Sequence, residues 1–178
     1  MAAKPIVKLP HNTLRDPAEI VPQEEVAAAN IQRLIADMRD TLAASVDGVG
    51  LAAPQIGVGV QIFLVSEEAK AIDDSAKETN GPKGVREWGH YVFINPVLKK
   101  RSRQKSAAAE GCLSVPGKVG EVSRSDKVYL EWLDEYGKQH SRGFAGFFAR
   151  VIQHEMDHLE GKLIVDRAKK LIDVTNNK

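Results

Sequence analysis

Val151-Ile152-Gln153-His154-Glu155-Met156-Asp157-His158-Leu159-Glu160-Gly161 is the stretch around which this 178-residue chain is organised. His154, Glu155 and His158 form an H-E-x-x-H pattern. Positions i and i+4 of an α-helix lie about 40° apart around its axis, so two imidazoles at that spacing can leave one face toward one point. Glu155 is turned roughly 100° further round, close enough to reach a water on a metal ion held by the pair. Phe147, Val151, His154 and His158 fall on one stripe, and Phe148, Ile152, Glu155 and Leu159 on the next, which is the period of a half-buried helix. Gly161 is placed to stop that helix in a left-handed conformation. On these residues alone two readings stand. A histidine pair on an amphipathic helix also serves as ordinary surface or core histidine, and a catalytic metal site of the zinc type needs three protein ligands plus an open position. The rest of the chain has to supply the third.

Composition sets the bounds. A chain of this length with 43% hydrophobic residues suits one compact domain over 1–178 with a sizeable core. Lys+Arg 25 against Asp+Glu 24 leaves a net charge of +1, so no overall basic field points to specific nucleic-acid binding. The start, Met1-Ala2-Ala3-Lys4-Pro5, has no apolar run of signal-peptide length, and no stretch approaches the ~20 apolar residues of a membrane span. The expectation is a cytoplasmic protein; an organelle after transit-peptide removal, or a viral product in a host cytoplasm, is also compatible. The single cysteine, Cys112, excludes an internal disulfide, leaving a small buried hydrophobe, a nucleophile or a metal ligand.

Working outward from the histidine helix, residues 6–9 read as an edge strand between Pro5 and Pro10, and 12–17 as turn-rich. From 24 to about 45, Ile31, Leu34, Ile35, Met38 and Leu42 recur at helical steps. Gly48-Val49-Gly50-Leu51-Ala52-Ala53-Pro54-Gln55 reads as a glycine turn that lets backbone approach a ligand. It lacks the third glycine, or the G-K-[ST], of a phosphate loop. Gln55 after Pro54 offers a neutral amide donor suited to a developing oxyanion. Strands are expected at 61–65, 91–94, 97–106, 119–122, 127–133 and 138–144, with a hairpin turn at Asp134-Glu135-Tyr136-Gly137. Residues 66–90 read as a polar surface insertion without periodicity, 163–165 as a short strand, and 168–178 as a polar tail. Glu110-Gly111-Cys112-Leu113-Ser114-Val115-Pro116-Gly117 reads as a loop that aims Cys112. The basic run at 99–105 reads as a solvated face, and His11, His90 and His140 as surface histidines. The class is α+β: mostly antiparallel strands in small sheets around a central metal-binding helix.

One cysteine and two histidines are a legitimate ligand set for a tetrahedral divalent metal with water in the fourth place. At this point three motifs stand together, in order: the Gly48–Gln55 stretch, Glu110-Gly111-Cys112-Leu113-Ser114, and Gln153-His154-Glu155-Met156-Asp157-His158-Leu159. They resemble the three signature motifs of the peptide deformylase family, and the likeness runs from about residue 6 to 167. The resemblance implies Cys112, His154 and His158 as metal ligands, Glu155 as general base and then acid, and the Gln55 side chain with the Leu113 N–H as oxyanion hole. It also implies that Gly50 binds substrate through its backbone. Val49, Phe147 and Val151 are candidates for an apolar pocket, and Glu110 with Arg124 for support of the Cys112 segment. The implied reaction is hydrolysis of the formyl group from N-terminal formyl-methionine of nascent polypeptides, releasing formate. Fe2+ is the implied native ion, with Zn2+, Ni2+ or Co2+ able to occupy the site. Formylated nascent peptides are the implied partners, near the ribosome, for a protein expected to be monomeric and free of membranes. Val119 departs from the arginine many members carry near the substrate entrance, and 66–90 is longer than in compact members.

Two rival classes share the H-E-x-x-H pattern or a metal site. A zincin-like metallopeptidase needs a downstream third ligand; Glu160 is too near along the helix and no H-x-x-G-x-x-H extension follows. A non-catalytic metal-stabilised binding domain needs a fourth protein ligand, and the sequence places none.

Overall fold

The computed structural model describes residues 3–75 and 88–174. The histidine stretch forms α3 (Gly146–Leu159), and the chain before it supplies α1 (Ala29–Ala43) and α2 (Glu68–Ser75). The strands are β1 (Gly50–Ala52), β2 (Ile62–Ser66), β3 (His90–Arg101), β4 (Lys105–Gly111), β5 (Lys118–Ser125), β6 (Lys127–Leu133), β7 (Gln139–Ala145) and β8 (Leu171–Asp173). A single helical turn, α4 (Ile164–Arg167), precedes β8. Five strands pair in the order β1-β2-β3-β6-β7 and three in the order β4-β5-β8, every neighbouring pair antiparallel. The α+β expectation is met.

Strand β2 shows how α3 becomes central. All five of its residues are buried, so its sequence is a continuous apolar run and not an alternation. Phe63 and Val65 point into one core with Phe93, Val128, Leu130, Phe148, Val151 and Ile152. Ile62 and Leu64 point into another with Ile31, Ile35, Met38 and Leu42 of α1. The large sheet is therefore sandwiched, α1 on one face and α3 on the other. Beneath α3 the aromatics stack: Phe63 on Phe93 at 4.7 Å, Phe144 on Phe148 at 5.3 Å. A third cluster of Leu14, Val115, Leu163 and Ile164 backs the Cys112 segment.

Gly161 has φ +69, and a Cβ there would fall 2.7 Å from the Arg15 carbonyl carbon. The left-handed stop is thus enforced by conformation and by space together.

Several expectations need correction. Residues 6–9 form no strand; their backbone is tied by Val7 N–H to the Gln55 carbonyl at 2.9 Å and Leu9 N–H to the Ser114 carbonyl at 3.3 Å. The helix expected from 24 begins at Ala29, a separate 3-10 turn at Gln23–Glu25 preceding it. Gly50–Ala52, read as turn, is a strand because Leu51 and Ala52 find partners on β2. The insertion opens with α2, whose Ala69 is fully buried; residues 76–87 of it lie outside the described residues. Strands 91–94 and 97–106 are one strand to Arg101, bent where Asn95 takes φ +48 and the register shifts. The 163–165 strand is instead the turn α4, started by the Asp166 carboxylate accepting the Leu163 N–H at 2.8 Å. The tail includes β8, paired with β5; 175–178 lie outside the described residues. His90 and His140 are half-buried, His140 paired with Asp134 at 2.7 Å.

Candidate metal centre

Helix α3 carries His154 and His158 on the side turned toward the segment that follows β4, from which Cys112 projects. One donor atom from each of Cys112, His154 and His158 lies within 4.8 Å of the others, and the Cys112 sulfur is 3.3 Å from His158 Nε2. Sequence spacing brought two of these together; the two sheets bring the third. A thiolate and two imidazoles suit a divalent transition ion and leave room for an open fourth position. The protein's charges favour the same occupant. His158 is held well below its usual pKa by burial, then by His154 and Arg124, which keeps its lone pair available. Burial also lowers His154, but hydrogen bonding and charge from Cys112, Glu110 and Glu155 outweigh it and raise it to about 10. Hydrogen bonds to Cys112 and Glu110 thus favour positive charge at this point.

Glu155 is 3% exposed, and its Oε2 has no hydrogen-bond partner among the described residues. Burial first, then Glu110 and Asp157, push it up to about 7 against the pull of His154 and Arg124. A carboxyl poised near neutrality can both take and give a proton. Its room is made by Gly50, where a Cβ would sit 2.9 Å from the Glu155 carboxyl carbon and from Val151 Cγ1.

Gln55, 2% exposed, is oriented without ambiguity. Its Oε1 accepts the Ala52 N–H at 2.9 Å, so Nε2 faces Ser114 Oγ at 3.4 Å and Cys112 Sγ at 3.8 Å. Ser114, read as a hydroxyl without a base, is fully buried behind this amide. Leu113, Val49, Gly50, Phe147, Val151 and Val119 all line one cleft of about 520 Å3, together with Gln55, Cys112, His154 and Glu155.

Glu110 and Arg124 are buried, not ordinary surface charges. Arg124 grips Glu110 through Nε at 3.0 Å and Nη2 at 2.8 Å, and Glu110 Oε2 lies 3.1 Å from His154 Nδ1. Burial would raise Glu110, but its bonds to His154 and Arg124 pull it down to about 2. Sequence reading missed Arg150 and Asp157. Arg150 Nη1 donates to Glu110 Oε1 at 2.7 Å, and Asp157 accepts from Arg124 and from Arg167. A signal existed: both are charged residues on the His154–His158 side of α3, where a solvated face would not lie.

The family model for polypeptide deformylase matches residues 3–173. The chain belongs to the polypeptide deformylase family. A peptide deformylase of Leptospira biflexa is 39% identical over 169 residues, 95% of this chain and 89% of that one. Tomato peptide deformylase 1A, chloroplastic, is 38% identical over 91% of this chain and 58% of its own. Among solved structures, the class I type b deformylase of Acinetobacter baumannii with Met-Ala-Ser bound superposes with TM-score 0.78 at 30% identity, covering 93% of this chain and 98% of that one. The deformylase of Thermotoga maritima gives 0.78 at 29%, covering 96% and 100%. Deformylases remove the formyl group from N-formylmethionine, so this deformylase is a metal-dependent hydrolase of protein biosynthesis acting on formylated nascent peptides. No helix among the described residues is long and apolar enough to cross a membrane.

Proposed function

We propose that Cys112, His154 and His158 hold one divalent ion, and that Glu155 handles the protons of the deformylation that takes place beside it. The carrying observation is the convergence of three donors within 4.8 Å, in a cleft where Glu155 presents a buried, unpartnered oxygen. Bound there, a divalent ion lowers the pKa of a water toward ~7 and polarises a carbonyl. Glu155 would take a proton from the attacking water as its oxygen bonds to the formyl carbon, then deliver it to the amine nitrogen as the C–N bond breaks. Gln55 Nε2 and the Leu113 N–H donate to the developing oxyanion, a contribution typically about 10²–10³ in rate per donor. Fixing the Gln55 amide through Ala52 N–H means that this donor needs no reorganisation during the reaction.

Val49, Phe147 and Val151 form the apolar wall, suited to the unbranched methionine side chain, and the Gly50 backbone aligns the peptide. The Met-Ala-Ser bound by the Acinetobacter relative is a peptide of the kind this cleft would release. We assign ferrous iron as the native ion, with zinc, nickel and cobalt as substitutes. We take 1–178 as one catalytic domain, monomeric, working near ribosomes in the cytoplasm or an organelle. The exposed run at 99–105, with Lys99 paired to Glu131 at 3.2 Å, is a solvated face.

Formate release from a formyl-methionyl tripeptide tests the reading, with protein purified anaerobically in iron and separately in nickel. Both preparations should turn over. Glu155→Gln should keep its metal and lose about 10²–10⁴ in kcat. No formate from metal-loaded protein, or undiminished turnover by the variant, would overturn it.

A further inference from the structure

Glu110 is shared among three side chains. Arg124 holds both of its oxygens, Arg150 Nη1 reaches Oε1 at 2.7 Å, and His154 Nδ1 stands 3.1 Å from Oε2. Arg124, however, is not Glu110's alone. Its Nη1 serves Asp157 and the Gln153 carbonyl. This network thus sets two buried carboxylates, Glu110 at 7% and Asp157 at 6% exposure, against two buried guanidiniums, Arg124 at 6% and Arg150 at 8%. Arg167 joins Asp157 from the rim, its side chain 42% exposed. Without Arg150, Glu110 would have to share the Arg124 guanidinium with Asp157 and would have no cation of its own, which low-dielectric surroundings penalise.

Arg150 is also clamped. Its Nη1 donates to the Val122 carbonyl at 3.0 Å and its Nη2 to the Ser106 carbonyl at 2.7 Å, tying α3 to β4 and β5. It sits one helical turn before His154, on the same side of α3, so one helix carries both a metal ligand and the cation that serves the ligand's partner.

We propose that Arg150 is a positioning residue of the metal centre. By giving Glu110 a counter-cation of its own at Oε1, it leaves Oε2 in place to accept the Nδ1–H of His154. That bond fixes the tautomer and leaves the Nε2 lone pair for the ion. Partners of metal-bound histidines are typically worth about 10–100-fold in metal affinity; here the effect is exerted at one remove, through the carboxylate. The inference rests on His154 being a ligand.

The test is titration of metal-free full-length protein with Co2+ against a chelating dye, alongside thermal melts. His154→Ala checks the underlying reading: if it binds Co2+ as tightly as wild type, the ligand assignment fails. Arg150→Met, which keeps most of the volume and removes the charge, should weaken Co2+ binding about 10-fold and change the visible spectrum of the bound ion. Arg150→Lys should recover most of the affinity, because an ammonium still answers Glu110, while its melting temperature stays low for want of the two carbonyl bonds. Arg39→Met, which removes a remote ion pair to Glu135, should lower stability alone. Wild-type Co2+ affinity in Arg150→Met, or equal weakening in the lysine variant, would make Arg150 merely structural and overturn the proposal.

Discussion

Gly50 and Glu155 share one space: a Cβ at position 50 would lie 2.9 Å from the Glu155 carboxyl carbon. Gly50 is not at a positive φ, so the glycine is there for volume and not for backbone freedom. Gly50→Ala should displace Glu155 from the cleft. Overpacking of this kind costs about 1–3 kcal/mol of stability, and a misplaced proton carrier costs about 10²-fold in rate. Formate release and a denaturant melt on the same preparation check both; unchanged kcat would mean that Glu155 tolerates the shift.

Removing the ion should loosen the protein. A ligand present at 100 times its Kd contributes about 2.7 kcal/mol, or roughly 5–10 °C of melting temperature for a chain this size. Chelation should therefore lower the wild-type Tm by that order and leave Cys112→Ser nearly unmoved. Equal drops in both would argue that Cys112 is no ligand.

One contribution to acid sensitivity should come from α4. Burial raises the Asp166 pKa, but Arg15 and the Leu163 N–H together outweigh it, leaving it below the usual 3.8. A lowered carboxyl stabilises the fold above the unfolded value and stops doing so as pH falls through the folded one. Both side chains are about 40% exposed, so the ion pair is discounted and most of the effect is the capping bond. Asp166→Ala should cost about 1 kcal/mol at pH 7, with the gap closing as pH falls below the usual 3.8. A gap independent of pH in urea melts would assign the loss to packing.

Gly161→Ala should be the costlier backbone change. A left-handed φ and a collision with the Arg15 carbonyl act together, for about 2–4 kcal/mol. Metal-loaded kcat should hold below the melting temperature. A Tm within 2 °C of wild type would show that the Arg15 segment yields.

The histidine helix was legible because period, cap signal and chemistry coincided in fourteen residues. Strands β6 and β7 were legible for the same local reason: alternation on either side of Asp134–Gly137. What escaped was settled by distant partners. Ile164 and Val165 favour a strand by propensity, yet one carboxylate at Asp166 starts a helical turn. Strand β8 has three exposed residues and exists through its pairing with β5. Arg150 and Asp157 stand on the histidine side of α3, but their partners Glu110, Arg124 and Arg167 come from distant segments. Cys112 is assigned as a candidate ligand by resemblance to a family; its own neighbours indicate only an aimed side chain.

The donor set spans a seam. Cys112 follows β4 of the small sheet, whereas both histidines ride on α3, which is seated on the large one. Glu110, Arg124 and Arg150 stitch the same two bodies a few ångströms away. Cleft width and the spacing of the three donor atoms therefore depend on the same junction between the two sheets. Arg150 to Glu110 and Arg124 to Asp157 cross that junction, so the ionic pairs and the three donors share one structural seam.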